Sequence, residues 1–156
     1  MKLPNKIYLD ANFLIAYFVD NHDDHNASKL LFFNLLQQDC VTYISTLGLD
    51  EAWFKVYEVL QKDIPKDKRK PIKEFYPEIK QILKAIRKLP QNIKIVQFEN
   101  DFEAGVKQTV ENIGSFNFHP RDAFHLAYMQ DLRLQAIITK DKKGFDKVPN
   151  LQVLSY

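Results

Sequence analysis

An apolar run, Ile7-Tyr8-Leu9, is cut short by Asp10 and Asn12 and then resumed by Phe13-Leu14-Ile15-Ala16-Tyr17-Phe18. The first run has the length of a buried strand and the second suits a helix, so the chain must turn sharply between them. In an open parallel sheet, ligands bind in the crevice beyond the carboxyl ends of the strands. A carboxylate at such a turn therefore faces whatever the crevice holds. Taken alone, Asp10 also suits the commoner task of capping the helix it precedes, because its oxygens accept the free N–H groups of a first turn. What makes it a candidate is the arrival of other acids at matching places in later elements.

Those elements follow in alternation. Polar Asp20 to Asp24 break the chain, and Ala27, Leu30, Leu31, Phe33 and Leu35 predict a second helix ending near Gln38-Asp39. Cys40 to Ile44 reads as a second strand, followed by Ser45 as an N-cap and a helix with the stripe Leu49, Trp53, Val56 and Leu60. A charged, proline-bounded loop from Ile64 to Pro71 leads to a helix marked by Phe75, Ile79, Ile82, Leu83 and Ile86 and closed by Leu89-Pro90. Ile93 to Phe98 is a third strand, and Asn100 to Ile113 a helix stopped by Gly114. Pro120 opens a further helix, with so little polar surface that it should pack deep in the core; Gln135 to Thr139 and Leu151 to Leu154 supply the last two strands. The alternation predicts an α/β fold, a mostly parallel central sheet flanked by helices. At 156 residues and 46% hydrophobic, the chain has enough apolar material for one domain over residues 1–156. A helical hairpin at about 61–90 is an appendage to it.

Several classes are disfavoured at once. No apolar run approaches the ~20 residues of a membrane-spanning helix, and Asp10 and Asn12 interrupt the only early apolar stretch that could pass for a leader. A cytoplasmic protein is expected. Cys40 is the sole cysteine, which excludes an internal disulfide and a thiolate cluster. The net charge is only +2, but its distribution is uneven: residues 61–90 hold ten Lys/Arg against four Asp/Glu, leaving the remainder net acidic. A basic segment beside an acidic remainder suits steering of an anionic ligand toward an acidic pocket, and equally a solvated helical face.

Four carboxylates occupy corresponding places. Asp10 ends the first strand, Glu51 opens the helix after the second, Asp122 opens the apolar helix before the fourth, and Asp141 follows the fourth. Each has an ordinary alternative: Glu51 sits at i, i+4 from Lys55, Asp122 would favour a helix dipole, and Asp141 suits a turn. On one edge of a parallel sheet, however, all four would share a crevice and repel one another unless a cation joined them. An oxygen-only donor set favours Mg²⁺ or Mn²⁺. His125, three residues beyond Asp122, is read as a hydrogen-bonded core histidine rather than a ligand.

In these residues the sequence resembles the PIN-domain nucleases, and among them the VapC-type toxins. The matching stretches are Leu9-Asp10-Ala11-Asn12-Phe13-Leu14-Ile15, Ser45 with Glu51 six residues later, Arg121-Asp122-Ala123-Phe124-His125-Leu126-Ala127, and Ile138-Thr139-Lys140-Asp141 with Phe145 and Leu151-Gln152-Val153-Leu154. His25 and Ala27 match an H-x-A pattern early in the second helix. The resemblance implies a Rossmann-like sheet, one or two divalent ions, RNA as substrate, cleavage to a 5′ phosphate and 3′ hydroxyl, an antitoxin protein as partner and a homodimer. It makes Asp10, Glu51, Asp122 and Asp141 the metal-binding catalytic acids, with Asn12 and Thr139 supporting them. Gly144 widens the gap between Asp141 and Phe145, so Asp146 is a second candidate for the fourth acid's role. Asp50 adjoins Glu51, but the Ser45 spacing and the Leu49/Trp53 stripe favour Glu51. Lys66, Lys68, Arg69 and Lys70 are candidate phosphate contacts. Tyr43, Phe116 and Phe118 could stack on bases, though core packing is their default. Two rivals remain: a haloacid-dehalogenase-type phosphatase, which needs an Asp where Asn12 stands, and a catalytically inactive PIN-like RNA-binding or protein-interaction module.

Overall fold

The computed structural model describes residues 3–88, 93–99 and 101–156. Among them, five strands form one sheet in the order β3-β2-β1-β4-β5. The strands are β1 (Lys6–Leu9), β2 (Val41–Ser45), β3 (Ile93–Val96), β4 (Ala136–Ile138) and β5 (Gln152–Leu154), and every pairing is parallel. The chain lays down β1, β2 and β3 outward in one direction, then returns to place β4 on the other side of β1. The order reverses at the β1/β4 boundary, where the helices that follow the two strands leave in opposite directions and open a crevice. Register sets its contents: Leu9 pairs with Ile138, so Asp10 and Thr139 emerge side by side.

Helices cover both faces. They are α1 (Ala11–Phe18), α2 (His25–Gln37), α3 (Thr46–Leu60), α4 (Tyr76–Lys88), α5 (Phe102–Phe116), α6 (Pro120–Asp131) and the short α7 (Lys142–Phe145). Side chains alternate along β1, so Ile7 and Leu9 join one core with Phe13, Leu35, Ile44 and Val56, while Tyr8 joins another with Phe98, Leu126, Met129 and Phe145. Coverage on both sides explains why Ile7, Tyr8 and Leu9 are all fully buried.

The structure revises several sequence expectations. In α2 the buried face is His25, Ser28, Phe32 and Leu35, whereas Leu30 and Phe33 are exposed by 63% and 56%. Two polar residues sit on that inner face because their groups are paired internally: Ser28 Oγ donates to His25 O at 2.8 Å, and His25 Nδ1 lies 3.0 Å from Ala16 O. Gly114 does not stop α5. The helix runs on to Phe116 and ends at Asn117, whose φ of 52° gives the left-handed conformation that commonly terminates helices. The basic hairpin is built from α3 and α4, with two 3₁₀ turns (Lys66–Lys68 and Ile72–Phe75) between them. Only its second helix belongs to the basic segment, and that helix sends Ile86 into the same core as Phe13 and Leu35. The expected closure at Leu89-Pro90, the side chain of Ile82 and the expected helix start at Asn100 lie outside the described residues.

Candidate metal centre

Asp10 occupies the N-cap position of α1, yet its side chain makes no capping hydrogen bond. Its carboxylate is buried, 6% exposed, and Oδ2 instead accepts from Thr139 Oγ1 at 2.6 Å and from Asn12 Nδ2 at 3.1 Å. The carboxylate is thus not a helix cap but is hydrogen-bonded by Asn12 and Thr139. Thr139 Oγ1 also accepts from the Asp141 N–H at 3.0 Å, tying the end of β4 to the same carboxylate.

Glu51 arrives from α3. Ser45, fully buried, caps that helix by accepting from the Gly48 N–H at 3.0 Å, which fixes the first turn and aims the second, where Glu51 lies, back over the sheet edge. Asp50 is exposed, while Glu51 lines the pocket beside Asp10. Nor is Glu51 a helix-surface ion-pair partner of Lys55, which bonds to Glu58 at 2.9 Å. Arg121 Nε stands 3.4 Å from Glu51 Oε1, and His125 Nε2 stands 2.9 Å from Oε2.

The third contribution comes from α6, which begins with Pro120 at its first position. Asp122 and His125 are three residues apart and share a face. Asp122 lines the pocket with Asp10 and Glu51. Burial raises its pKa; the charges of Asp10, Asp141 and Glu51 raise it further, against the opposing influence of His125. The expectation that His125 is a buried, hydrogen-bonded residue holds, but its bonds lead into the acid cluster. Nδ1 lies 2.7 Å from the Tyr8 hydroxyl, which is 2.6 Å from Ser45 Oγ, and Nε2 is 3.9 Å from Asp10 as well as within reach of Glu51. Burial alone would lower the imidazole pKa; the Glu51 hydrogen bond and the charges of Asp10, Glu51 and Asp122 outweigh it and raise it.

Donor atoms of Asp10, Glu51 and His125 all lie within 4.8 Å of one another, a set able to enclose one divalent cation. The carboxylates' mutual repulsion, felt at Asp122, is the condition such a cation relieves. Asp141 belongs to neither the pocket lining nor this donor set: exposed, it caps α7 by accepting from the Gly144 N–H at 3.2 Å, while its charge still reaches Asp122. Asp146 ends α7 and is exposed. The surrounding pocket, about 560 Å³, adds Phe54, Lys55, His119 and Arg121 to the acids. Lys66, Lys68, Arg69 and Lys70 are exposed and none of them lines it. Tyr43 and Phe118 are core residues, and Phe116 packs against their cluster.

Of the acids singled out from sequence, Asp10, Glu51 and Asp122 line the pocket and Asp141 does not; Arg121, which lines it, and His125, whose Nε2 meets Glu51 and Asp10, were not singled out as site residues. The available signal was their spacing: both flank Asp122 on the first turn and a half of α6.

A family model described as "PIN domain" matches residues 7–151. No curated protein matches the chain. Among solved structures, the fold is similar to a chain of the Rickettsia felis VapBC2 complex bound to a promoter DNA fragment, with a TM-score of 0.62, 14% identity and 97% and 98% of the two chains covered. It is also similar to a chain of a toxin–antitoxin complex from Klebsiella pneumoniae, with a TM-score of 0.60, 21% identity and 95% of each chain covered. A third is Mycobacterium tuberculosis VapC20, described as a sarcin-ricin-loop-cleaving toxin, with a TM-score of 0.57, 16% identity and 84% and 86% covered. At these identities the likeness is one of fold.

Proposed function

This chain belongs to the PIN-domain family, and from that premise we propose that it is a divalent-metal-dependent endoribonuclease, the toxin of a toxin–antitoxin pair. The observation that carries the reading is the convergence of Asp10, Glu51 and Asp122 on one pocket at the β1/β4 crevice, with Asp10 held by Thr139 and Asn12 rather than spent on a helix cap. Asp141, outside the pocket lining but close enough for its charge to act on Asp122, is the fourth proposed acid. An antitoxin partner is supported by the fold's likeness to chains from VapBC2 and the Klebsiella complex. RNA as substrate is supported by the likeness to VapC20.

The residues divide the work. Asp10, Glu51 and His125 would hold the cation, and Thr139 and Asn12 fix the Asp10 carboxylate so that little reorganisation is needed when it binds. A divalent cation in that place supplies positive charge against which a phosphodiester can be positioned and promotes ionisation of water. Asp122, its pKa raised, can take the proton released as water attacks phosphorus in line. The bond from phosphorus to the 3′ oxygen breaks, that oxygen takes up a proton, and the products carry a 5′ phosphate and a 3′ hydroxyl. Arg121, more than half exposed beside Glu51, is free at its outer edge to meet a phosphate. The Lys66 to Lys70 loop would act farther along the strand, through salt-dependent phosphate contacts.

The test is cleavage of a mixed single-stranded RNA pool by the purified protein, freed of any antitoxin, with Mg²⁺, with Mn²⁺ and with chelator, beside Asp122→Asn. The expected result is metal-dependent cleavage that the variant loses. Folded protein that binds RNA and cleaves with neither metal would instead identify an inactive binding module.

A further inference from the structure

In a site expected to offer only oxygen, His125 presents a nitrogen. Its ring is 1% exposed, and Nε2 faces two acids of the pocket, 2.9 Å from Glu51 and 3.9 Å from Asp10. Two ligands at right angles around an ion with bonds of about 2.1 Å lie about 3.0 Å apart. The Nε2 to Glu51 separation therefore suits neighbouring ligands as well as it suits a hydrogen bond. We infer that His125 Nε2 is a metal ligand together with Asp10 and Glu51, and that this mixed donor set selects a transition-metal ion such as Mn²⁺ over Mg²⁺. The inference rests on the metal-dependent reading above and specifies its cation.

The hydrogen bonds behind the ring suit this in its neutral form. To ligate, the neutral ring carries its one proton on Nδ1 and leaves Nε2, 2.9 Å from Glu51, without one. The Tyr8 oxygen then accepts that proton while its own O–H donates to Ser45 Oγ, 2.6 Å away. Ser45 is in turn fixed by the Gly48 N–H. Ligating histidines are commonly oriented by such a partner on the other nitrogen, and here the partner is itself anchored to the helix cap that positions Glu51. The consequence for the ion follows from hardness: Mg²⁺ prefers all-oxygen shells, whereas imidazole raises the affinity of first-row transition ions.

The experiment is pulsed electron paramagnetic resonance on the full chain, stripped with chelator and loaded with Mn²⁺, beside competitive titration of Mn²⁺ against Mg²⁺. The expected spectrum carries the nitrogen modulation of a directly bound imidazole in the wild type and in His119→Ala, and loses it in His125→Gln. Mn²⁺ should bind at least tenfold tighter than Mg²⁺, with the ratio collapsing several-fold in His125→Gln. If that variant does not fold, histidine-selective ¹⁵N labelling of the wild type replaces it, and the modulation must change to the ¹⁵N pattern. Mn²⁺ bound without nitrogen coupling, or an unchanged Mn²⁺/Mg²⁺ ratio in the variant, overturns the assignment and leaves His125 as a hydrogen-bond donor to Glu51. Failure of both ions to bind overturns the metal-dependent reading as well, so the two failures are distinguishable.

Discussion

At Asp122, burial and the carboxylates of Asp10, Asp141 and Glu51 all oppose ionisation, and only His125 favours it. A carboxyl group whose pKa is higher in the folded than in the unfolded chain binds more protons when folded over the interval between the two values. Stability therefore falls as pH rises through that interval, and the penalty persists at neutral pH. Asp122→Asn keeps the shape and removes the charge, so the metal-free variant should melt at or above the wild-type temperature at pH 7. The difference should shrink below the ordinary carboxylate range. Added Mn²⁺ should stabilise the wild type in proportion to its binding, and the variant less, because it lacks one negative charge beside the three ligands. Scanning calorimetry with and without metal checks both signs; a variant clearly less stable than the wild type without metal would show Asp122 to be structural. Ser45 makes the opposite case. Its Oγ answers the Gly48 N–H inside a fully buried cap, so Ser45→Ala should cost about 1–2 kcal/mol in urea unfolding, with no like-charge relief to offset it.

Two glycines of α5 look interchangeable in sequence and are not interchangeable in the helix. A Cβ on Gly105 would come within 2.5 Å of the Phe98 ring, which is itself stacked on Tyr128 with centroids 4.2 Å apart and cannot withdraw. Gly105→Ala should therefore destabilise by about 1–3 kcal/mol through overpacking. At Gly114 nothing lies within 4 Å of the added atom, and the residue is inside the helix, so Gly114→Ala should stabilise by about 0.5–1 kcal/mol. Equilibrium denaturation of the pair decides it, and equal effects would refute the contrast. The same helix illustrates what a sequence discloses. Strand β1, the turn at Asp10 and the Ser45 cap are legible because their causes lie within a few residues. The end of α5 is not: Gly114 carries a local stop signal, yet the helix continues to a left-handed Asn117. In α2 the apolar count pointed to Leu30 and Phe33, but the face turned inward is the one whose polar members, His25 and Ser28, are hydrogen-bonded internally. His125 was obscured for a third reason. A buried histidine on an apolar helix reads as core until Tyr8 from β1 and Glu51 from α3 are seen to close on it, and its spacing from Asp122 does not by itself contain that meeting.

For the whole molecule, the question left by the charge pattern is whether the basic arm is a unit apart. We propose that it is not, and that the chain folds as one domain. The sheet separates two cores, and the arm's helix α4 sends Ile86 into the one that holds Phe13, Leu35 and Val56. Loss of the arm would strip cover from α3, the helix that delivers Glu51. The sole tryptophan, Trp53, lies on α3 and packs against that core, so its fluorescence reports on the arm's seat. Far-UV circular dichroism reports on all the helices. One cooperative unit requires the two signals to change together through a urea titration. An arm that detaches first would shift the tryptophan transition to lower urea while most ellipticity remained, and Asp10, Asp122 and His125 would then outlast Glu51 as an ordered group. Coincident transitions would mean that the same packing that buries Ile86 also keeps the third donor of the metal centre in place.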